Sequence, residues 1–148
     1  MDRIDKKILS IINKSIPISE RPFLAVAEAV GMSEEEVLDR IKKLKGSCLI
    51  RRIGAVIDPK SIGLQSTLCA ADVPMNRLEE FAAAVGAYDE VTHHYLREGL
   101  PNCWFTIIAP SMERLNQIIS EIEQKLGIEI QSLPARNVFK IRVAFDIE

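Results

Sequence analysis

Residues 89–109 read DEVTHHYLREGLPNCWFTIIA, two short runs joined across Gly99 and Pro101. Apolar and polar letters that alternate with period two mark a strand with one buried face. In NCWFTIIA, Cys103, Phe105, Ile107 and Ala109 fall on one side, and Asn102, Trp104 and Thr106 on the other. In HHYLRE, placing Leu96 on the buried side sends His93, Tyr95 and Arg97 to the open side, with His94 inward or at the rim. Neighbouring residues on a strand point to opposite faces, so the two adjacent histidines cannot grip one ion, and no metal site held by the protein alone is expected.

Outward from this hairpin the elements alternate. QSTLCAADV reads as a strand, and Pro74 opens a helix whose apolar positions Leu78, Phe81, Ala82 and Val85 recur at helical spacing. Downstream, Ser111 caps a helix carrying Leu115, Ile118, Ile119, Ile122 and Leu126 and closed by Gly127; IEIQSLP and NVFKIRVAFDI read as further strands. The order βαββαβ is the ferredoxin-like arrangement, two helices over one face of an antiparallel sheet. In the last run Phe139, Ile141, Val143 and Phe145 are expected beneath the helices. Lys140 and Arg142 then look out of the open face, and Arg136 lies in the loop beside it. That face therefore gathers His93, Tyr95, Arg97, Asn102, Trp104, Lys140 and Arg142. Polar residues on an uncovered sheet are ordinarily just solvated, but a tryptophan ringed by cations and a histidine suits a planar ligand with several negative charges.

Upstream, IDKKILSII has apolar residues at helical spacing behind an Asp2 cap, and PFLAVAEAV begins on Pro22 and ends at Gly31. Ser33 to Glu36 form a capping box for a third helix through Val37, Leu38, Ile41 and Leu44. CLIRRIGAVID follows as a small β-wing. The expected class is thus α+β, a winged helix-turn-helix over residues 1–58 followed by a ferredoxin-like βαββαβ domain over 59–148. The third helix would ordinarily enter the major groove with its N-terminal end, yet that end carries Glu34, Glu35, Glu36 and Asp39, which phosphates would repel. DNA binding is not favoured.

The charge balance divides the chain in the same place, with twelve Lys or Arg against nine Asp or Glu in residues 1–60 and seven against twelve in residues 61–148. Three scattered cysteines, Cys48, Cys69 and Cys103, with no CxxC, give neither a disulfide framework nor a zinc site. No apolar run reaches the roughly 20 residues of a bilayer span, and MDRIDKK lacks the layout of a signal peptide, so a cytoplasmic location is expected.

A winged helix-turn-helix joined through RRIGAVIDPKSIGL to a βαββαβ domain resembles the Lrp/AsnC family of transcription regulators over the whole chain. The finer resemblance is to an enzymatic branch, the sirohaem decarboxylases, at PFLAVAEAVGMSEEEV, RRIGAV, VTHHYLRE, NCWF and SLPARNVFKI. That branch typically shows His-Asn-Tyr-x-Arg-x-His-x-Tyr-Asn-x-Trp-Phe. Its first histidine falls on His93, its tyrosine on Tyr95, its arginine on Arg97, and its Asn, Trp and Phe on Asn102, Trp104 and Phe105. His94 stands in place of the Asn, Gly99 in place of a second histidine, and Pro101 in place of a Tyr. The resemblance implies loss of CO2 from the C12 and C18 acetates of sirohaem, giving 12,18-didecarboxysirohaem. It implies no cofactor beyond the iron tetrapyrrole of the substrate, and a paralogous B-type partner in a heterodimer of which this chain is the A-type half. It further implies His93 as proton donor or iron-proximal residue and Arg97, Arg136, Lys140 and Arg142 as carboxylate clamps, with Tyr95, Asn102 and Trp104 lining the site. Two other readings stay open: an Lrp/AsnC-like regulator that binds DNA and a small effector, and a non-catalytic haem-sensing or scaffold subunit.

Overall fold

A computed structural model gives the fold and describes residues 1–141 and 144–147. The chain divides into two compact units, Met1–Ala55 with Phe139–Glu148, and Val56–Val138.

The first unit is built on three helices, α1 (Arg3–Lys14), α2 (Pro22–Val30) and α3 (Glu34–Gly46). Their ends follow from local chemistry. Asp2 accepts from the backbone N–H groups of Ile4 and Asp5 while Asp5 reaches back to the Asp2 N–H, and Ser33 and Glu36 form the same reciprocal box. Gly31 ends α2 in the left-handed region at φ 73°, where a side chain would clash with its own backbone. One stripe of each helix meets in a core of Ile8, Val26, Val37, Ile41 and Leu44, joined by Ile50. Across it Arg40 bonds both Asp2 and Asp5 at 2.7 Å, and Arg21 pairs with Glu34.

The expected wing is not formed as strands. The N–H groups of Leu49 and Ile50 both turn back to the Leu44 carbonyl, at 3.1 and 3.2 Å, and so close the end of α3 instead of entering a ladder. Residues 51–58 are irregular.

The expected last strand also fails: none of the described residues between 137 and 147 is in a strand. The carbonyls of Phe145 and Ile147 accept from Asn13 Nδ2 (2.6 Å) and Ser10 Oγ (3.2 Å) of α1, so acceptors that a sheet neighbour would have used are spent on helix side chains. Phe139, Ile141 and Phe145, placed beneath the helices by alternation, are all exposed, Phe139 at 93%. Arg142 and Val143 lie outside the described residues.

The second unit holds β1 (Gln65–Ala71), α4 (Leu78–Gly86), β2 (Val91–Leu96), β3 (Cys103–Ala109), α5 (Met112–Leu126) and β4 (Ile130–Leu133). The strands form one antiparallel sheet in the order β2-β3-β1-β4, with β2 and β4 at its edges. This is the ferredoxin-like order, completed here by Ile130–Leu133. The helices cover one face, where Phe81, Phe105, Ile107, Leu115, Ile118 and Ile122 are essentially fully buried. Each such side chain stabilises the unit by about 1.5–3 kcal/mol. Burial pushes the thiol of Cys69 up to about 12 and raises that of Cys103, so both are inert thiols at neutral pH.

Candidate functional site

The register of the three strand pairs sets the open face row by row. Directly opposite residues share a face, so His93, Thr106, Leu68 and Leu133 form one row, and Tyr95, Trp104, Ala70 and Gln131 the next. Four strands at about 4.8 Å spacing make each row roughly 14 Å long, a flat surface on the scale of a large ring system.

Several contacts fix its geometry. His93 and Tyr95 stack with ring centroids 6.1 Å apart and 26° between planes, and His93 Nδ1 lies 3.0 Å from Thr92 Oγ1. Trp104 Nε1 donates to the Pro101 carbonyl at 2.8 Å, which satisfies the polar edge of the indole. The Arg97 guanidinium carbon stands 5.8 Å from the centre of that indole. The hairpin closes through Arg97 N–H to the Asn102 carbonyl at 2.7 Å. Gly99 in its turn has φ 85°, a conformation that residues with a side chain rarely adopt.

Of the residues expected on this face, the structure brings together His93, Tyr95, Arg97 and Trp104. Asn102 is a correction. It is 6% exposed and makes a two-sided clamp on Val73, accepting from its N–H at 2.9 Å and donating to its carbonyl at 2.8 Å. Alternation assigned it to the open side, but it precedes β3 in the turn, where pleating no longer sets direction. Arg136 is exposed in the segment after β4, and Lys140 is exposed in the stretch that clusters with the helical unit. Leu68 and Leu133, 41% and 44% exposed, are members of the face that the sequence reading passed over. The alternation of Ser66, Leu68 and Ala70 against Thr67, Cys69 and Ala71 carried that signal.

His94 points the other way, under α4. Its ring meets Phe81 and Phe105 edge-on at 5.9 and 6.0 Å, and this burial lowers its pKa below that of an ordinary histidine. Leu96 follows it to that side but stays 58% exposed at the strand end. Together with Leu78, Ala82, Cys103 and Tyr95 they line a pocket of about 290 Å3 along the edge strand. A larger hollow of about 650 Å3 lies in the helical unit beside Arg40, Asp2 and Asp5, but those three satisfy one another, so it presents little unmet chemistry.

No group of three or more metal-binding side chains occurs among the described residues. Nor is any helix among them long and apolar enough to cross a membrane.

This architecture has relatives. A family model described as an AsnC-like ligand binding domain matches residues 61–140, and one described as a Siroheme decarboxylase NirDL-like HTH domain matches residues 5–51. The Siroheme decarboxylase alpha subunit of Desulfovibrio desulfuricans is 45% identical over 148 residues, covering 100% of this chain and 86% of that protein. The crystal structure of the siroheme decarboxylase NirDL in co-complex with an iron-uroporphyrin III analogue matches at TM-score 0.70 and 30% identity, over 93% of this chain and 47% of that one. An AsnC family transcriptional regulator from Agrobacterium tumefaciens shares the fold at TM-score 0.78 and 23% identity, covering 98% of this chain and 96% of its own. With full-length identity of this order to a decarboxylase subunit, and with family models on both its units, the chain belongs to the sirohaem decarboxylase family, built on the Lrp/AsnC architecture.

Proposed function

We propose that the chain is the A-type subunit of a sirohaem decarboxylase, a carboxy-lyase that removes CO2 from the C12 and C18 acetates of sirohaem to give 12,18-didecarboxysirohaem. The observation that carries this reading is the open sheet face, where His93, Tyr95 and Trp104 lie in adjacent rows with Arg97 over the indole. Sirohaem is planar, with eight carboxylates on its rim, and it needs an aromatic floor with cations around the edge. Its own iron tetrapyrrole is the only prosthetic group the reaction requires.

In this reading Tyr95 and Trp104 form the floor. Arg97, held over Trp104, is the first carboxylate clamp, and Arg136, exposed in the segment after β4, is a further one. His93, exposed on the same face, is the proton donor or the residue nearest the iron. A paralogous B-type subunit completes the site as the second half of a heterodimer. A NirDL chain is about twice as long as the part this chain matches, which supports a working unit made of two such modules. In the helix-turn-helix Arg40 is engaged by Asp2 and Asp5 and Arg21 by Glu34, and the first turn of α3 carries Glu34, Glu35 and Glu36, which supports a scaffold role over operator binding.

The test is a visible titration of the purified chain, alone and with its paralogue, against sirohaem. A saturable spectral change that weakens in Trp104→Ala is expected; no change with either preparation would sink the reading.

A further inference from the structure

β2 breaks its own alternation at one point. Val91 stands opposite Ile107 and His93 opposite Thr106, so two steps along β2 answer one step along β3, and Thr92 is the extra residue of a β-bulge. Burial follows the same break: Val91 packs against the core under the helices, while Thr92 and His93, neighbours in sequence, are both exposed. In a regular strand a core residue at position 91 would carry position 93 to the core as well. The bulge lets Val91 face inward and His93 face out.

It also leaves the Thr92 hydroxyl beside the imidazole. Thr92 Oγ1 lies 3.0 Å from His93 Nδ1, and the ring stacks on Tyr95 with 26° between planes. The imidazole is thereby held on two sides, by a polar group at Nδ1 and by an aromatic face. Across the sheet its row continues through Thr106, Leu68 and Leu133, none of which is charged. The two nitrogens of a neutral imidazole are distinct, and the hydrogen bond that one of them makes decides which carries the proton. An acid that gives its proton from Nε2 keeps an N–H at Nδ1 before and after the transfer. A threonine hydroxyl oxygen is an acceptor for that N–H.

We propose that Thr92 is a positioning residue: its Oγ1 accepts from Nδ1–H of His93 and so makes Nε2, at the far end of the ring, the nitrogen that delivers a proton to the substrate, an inference that rests on the sirohaem decarboxylase reading. When CO2 departs, the bond between the carboxyl and methylene carbons breaks and its electron pair stays on the methylene carbon. The Nε2–H bond then breaks as a C–H bond forms, leaving a methyl group and a neutral imidazole whose remaining proton is on Nδ1, against Thr92. Nε2 takes its next proton from solvent. A flat ring lying over this face shuts water away from the Thr92–His93 pair, and a hydrogen bond worth little in water gains strength in drier surroundings.

The experiment uses the full chain, 15N-labelled at histidine, with its unlabelled paralogous partner; the His93 signals are identified by their loss in His93→Gln. Without sirohaem, the nitrogen shifts of the neutral ring should place its proton mainly on Nδ1. Thr92→Val keeps the shape and loses the hydroxyl, and should move that balance toward Nε2 by about two- to tenfold, the worth of one hydrogen bond. Thr92→Ser should restore it. With sirohaem as probe, Thr92→Val should slow single-turnover product formation about tenfold while binding stays within about threefold, and Thr92→Ser should recover most of the rate. A Thr92→Val chain with an unchanged proton balance, or with unsubstituted turnover, overturns the role of Thr92 and spares the decarboxylase reading. An unsubstituted pair that releases no CO2 from sirohaem overturns both.

Discussion

Arg97, the first residue after β2, holds its guanidinium 5.8 Å from the centre of the Trp104 indole on β3, so an exposed cation at the end of the strand is pinned over the largest aromatic surface of the sheet face. An exposed cation–π pair adds only about 0.5–1 kcal/mol to stability. Its value lies in holding a planar, bidentate donor ready for a carboxylate. Arg97→Ala should therefore leave the thermal transition nearly unmoved while weakening sirohaem binding about tenfold or more, one charge-assisted hydrogen bond's worth. Arg97→Lys should recover part of that loss, because a point charge keeps attraction without the fork. Spectral titration at two salt concentrations checks this, with the arginine form less sensitive to the added salt.

Asn102 has the opposite profile. Its amide is the partner of both the Val73 N–H and the Val73 carbonyl, and all three groups are buried. Asn102→Ala strands two backbone groups and should destabilise the protein by about 2–4 kcal/mol in urea unfolding. Asn102→Asp keeps the acceptor but loses the donor, so it should fall between. If Asn102→Ala were stable and only failed to bind sirohaem, the structural assignment would be wrong.

His94 makes stability depend on pH with a definite sign. Burial lowers its pKa in the folded chain below the unfolded value, so the unfolded state binds more protons in the window between the two. The His94 contribution to stability is full above the unfolded pKa of about 6.5 and is lost as pH falls from there toward the folded value. His94→Phe, which packs on Phe81 and Phe105 without titrating, should flatten that part of the curve. Denaturant midpoints between pH 7.5 and pH 5 measure it, and an unchanged slope in the variant would contradict the placement of the ring.

How far the sequence carried depends on whether a signal is local. The capping boxes at Asp2 and Ser33 and the left-handed stops at Gly31 and Gly127 need only a few neighbouring residues, and the helices begin and end where those letters say. The alternation in Cys103–Ala109 was equally readable because β3 is flanked by β1 and β2 and has one face under helices. NVFKIRVAFDI and CLIRRIGAVID alternate just as well, yet a strand requires a neighbour that no local pattern names. Their backbone groups are taken by α1 side chains and by the end of α3. Of the site, His93, Tyr95, Arg97 and Trp104 were legible from pleating. Asn102 was misassigned because it lies in the turn, and the surroundings of His94 depended on a helix packed from elsewhere in the chain.

The helix-turn-helix yields a further expectation. Glu34, Glu35 and Glu36 crowd the first turn of α3, and the arginine on its flank is already bonded to two aspartates. Fluorescence anisotropy with duplex DNA should show at most weak association, lost as salt rises and indifferent to sequence. Tight, sequence-selective binding at physiological salt would restore the regulator reading.

The most direct measurement of the central claim is product mass after the chain and its paralogous partner are incubated with sirohaem. The predicted result is a tetrapyrrole lighter by two CO2, formed by the pair and abolished or strongly slowed by Trp104→Ala. Recovery of unchanged sirohaem, from a folded pair that binds it, would contradict the assignment as a decarboxylase.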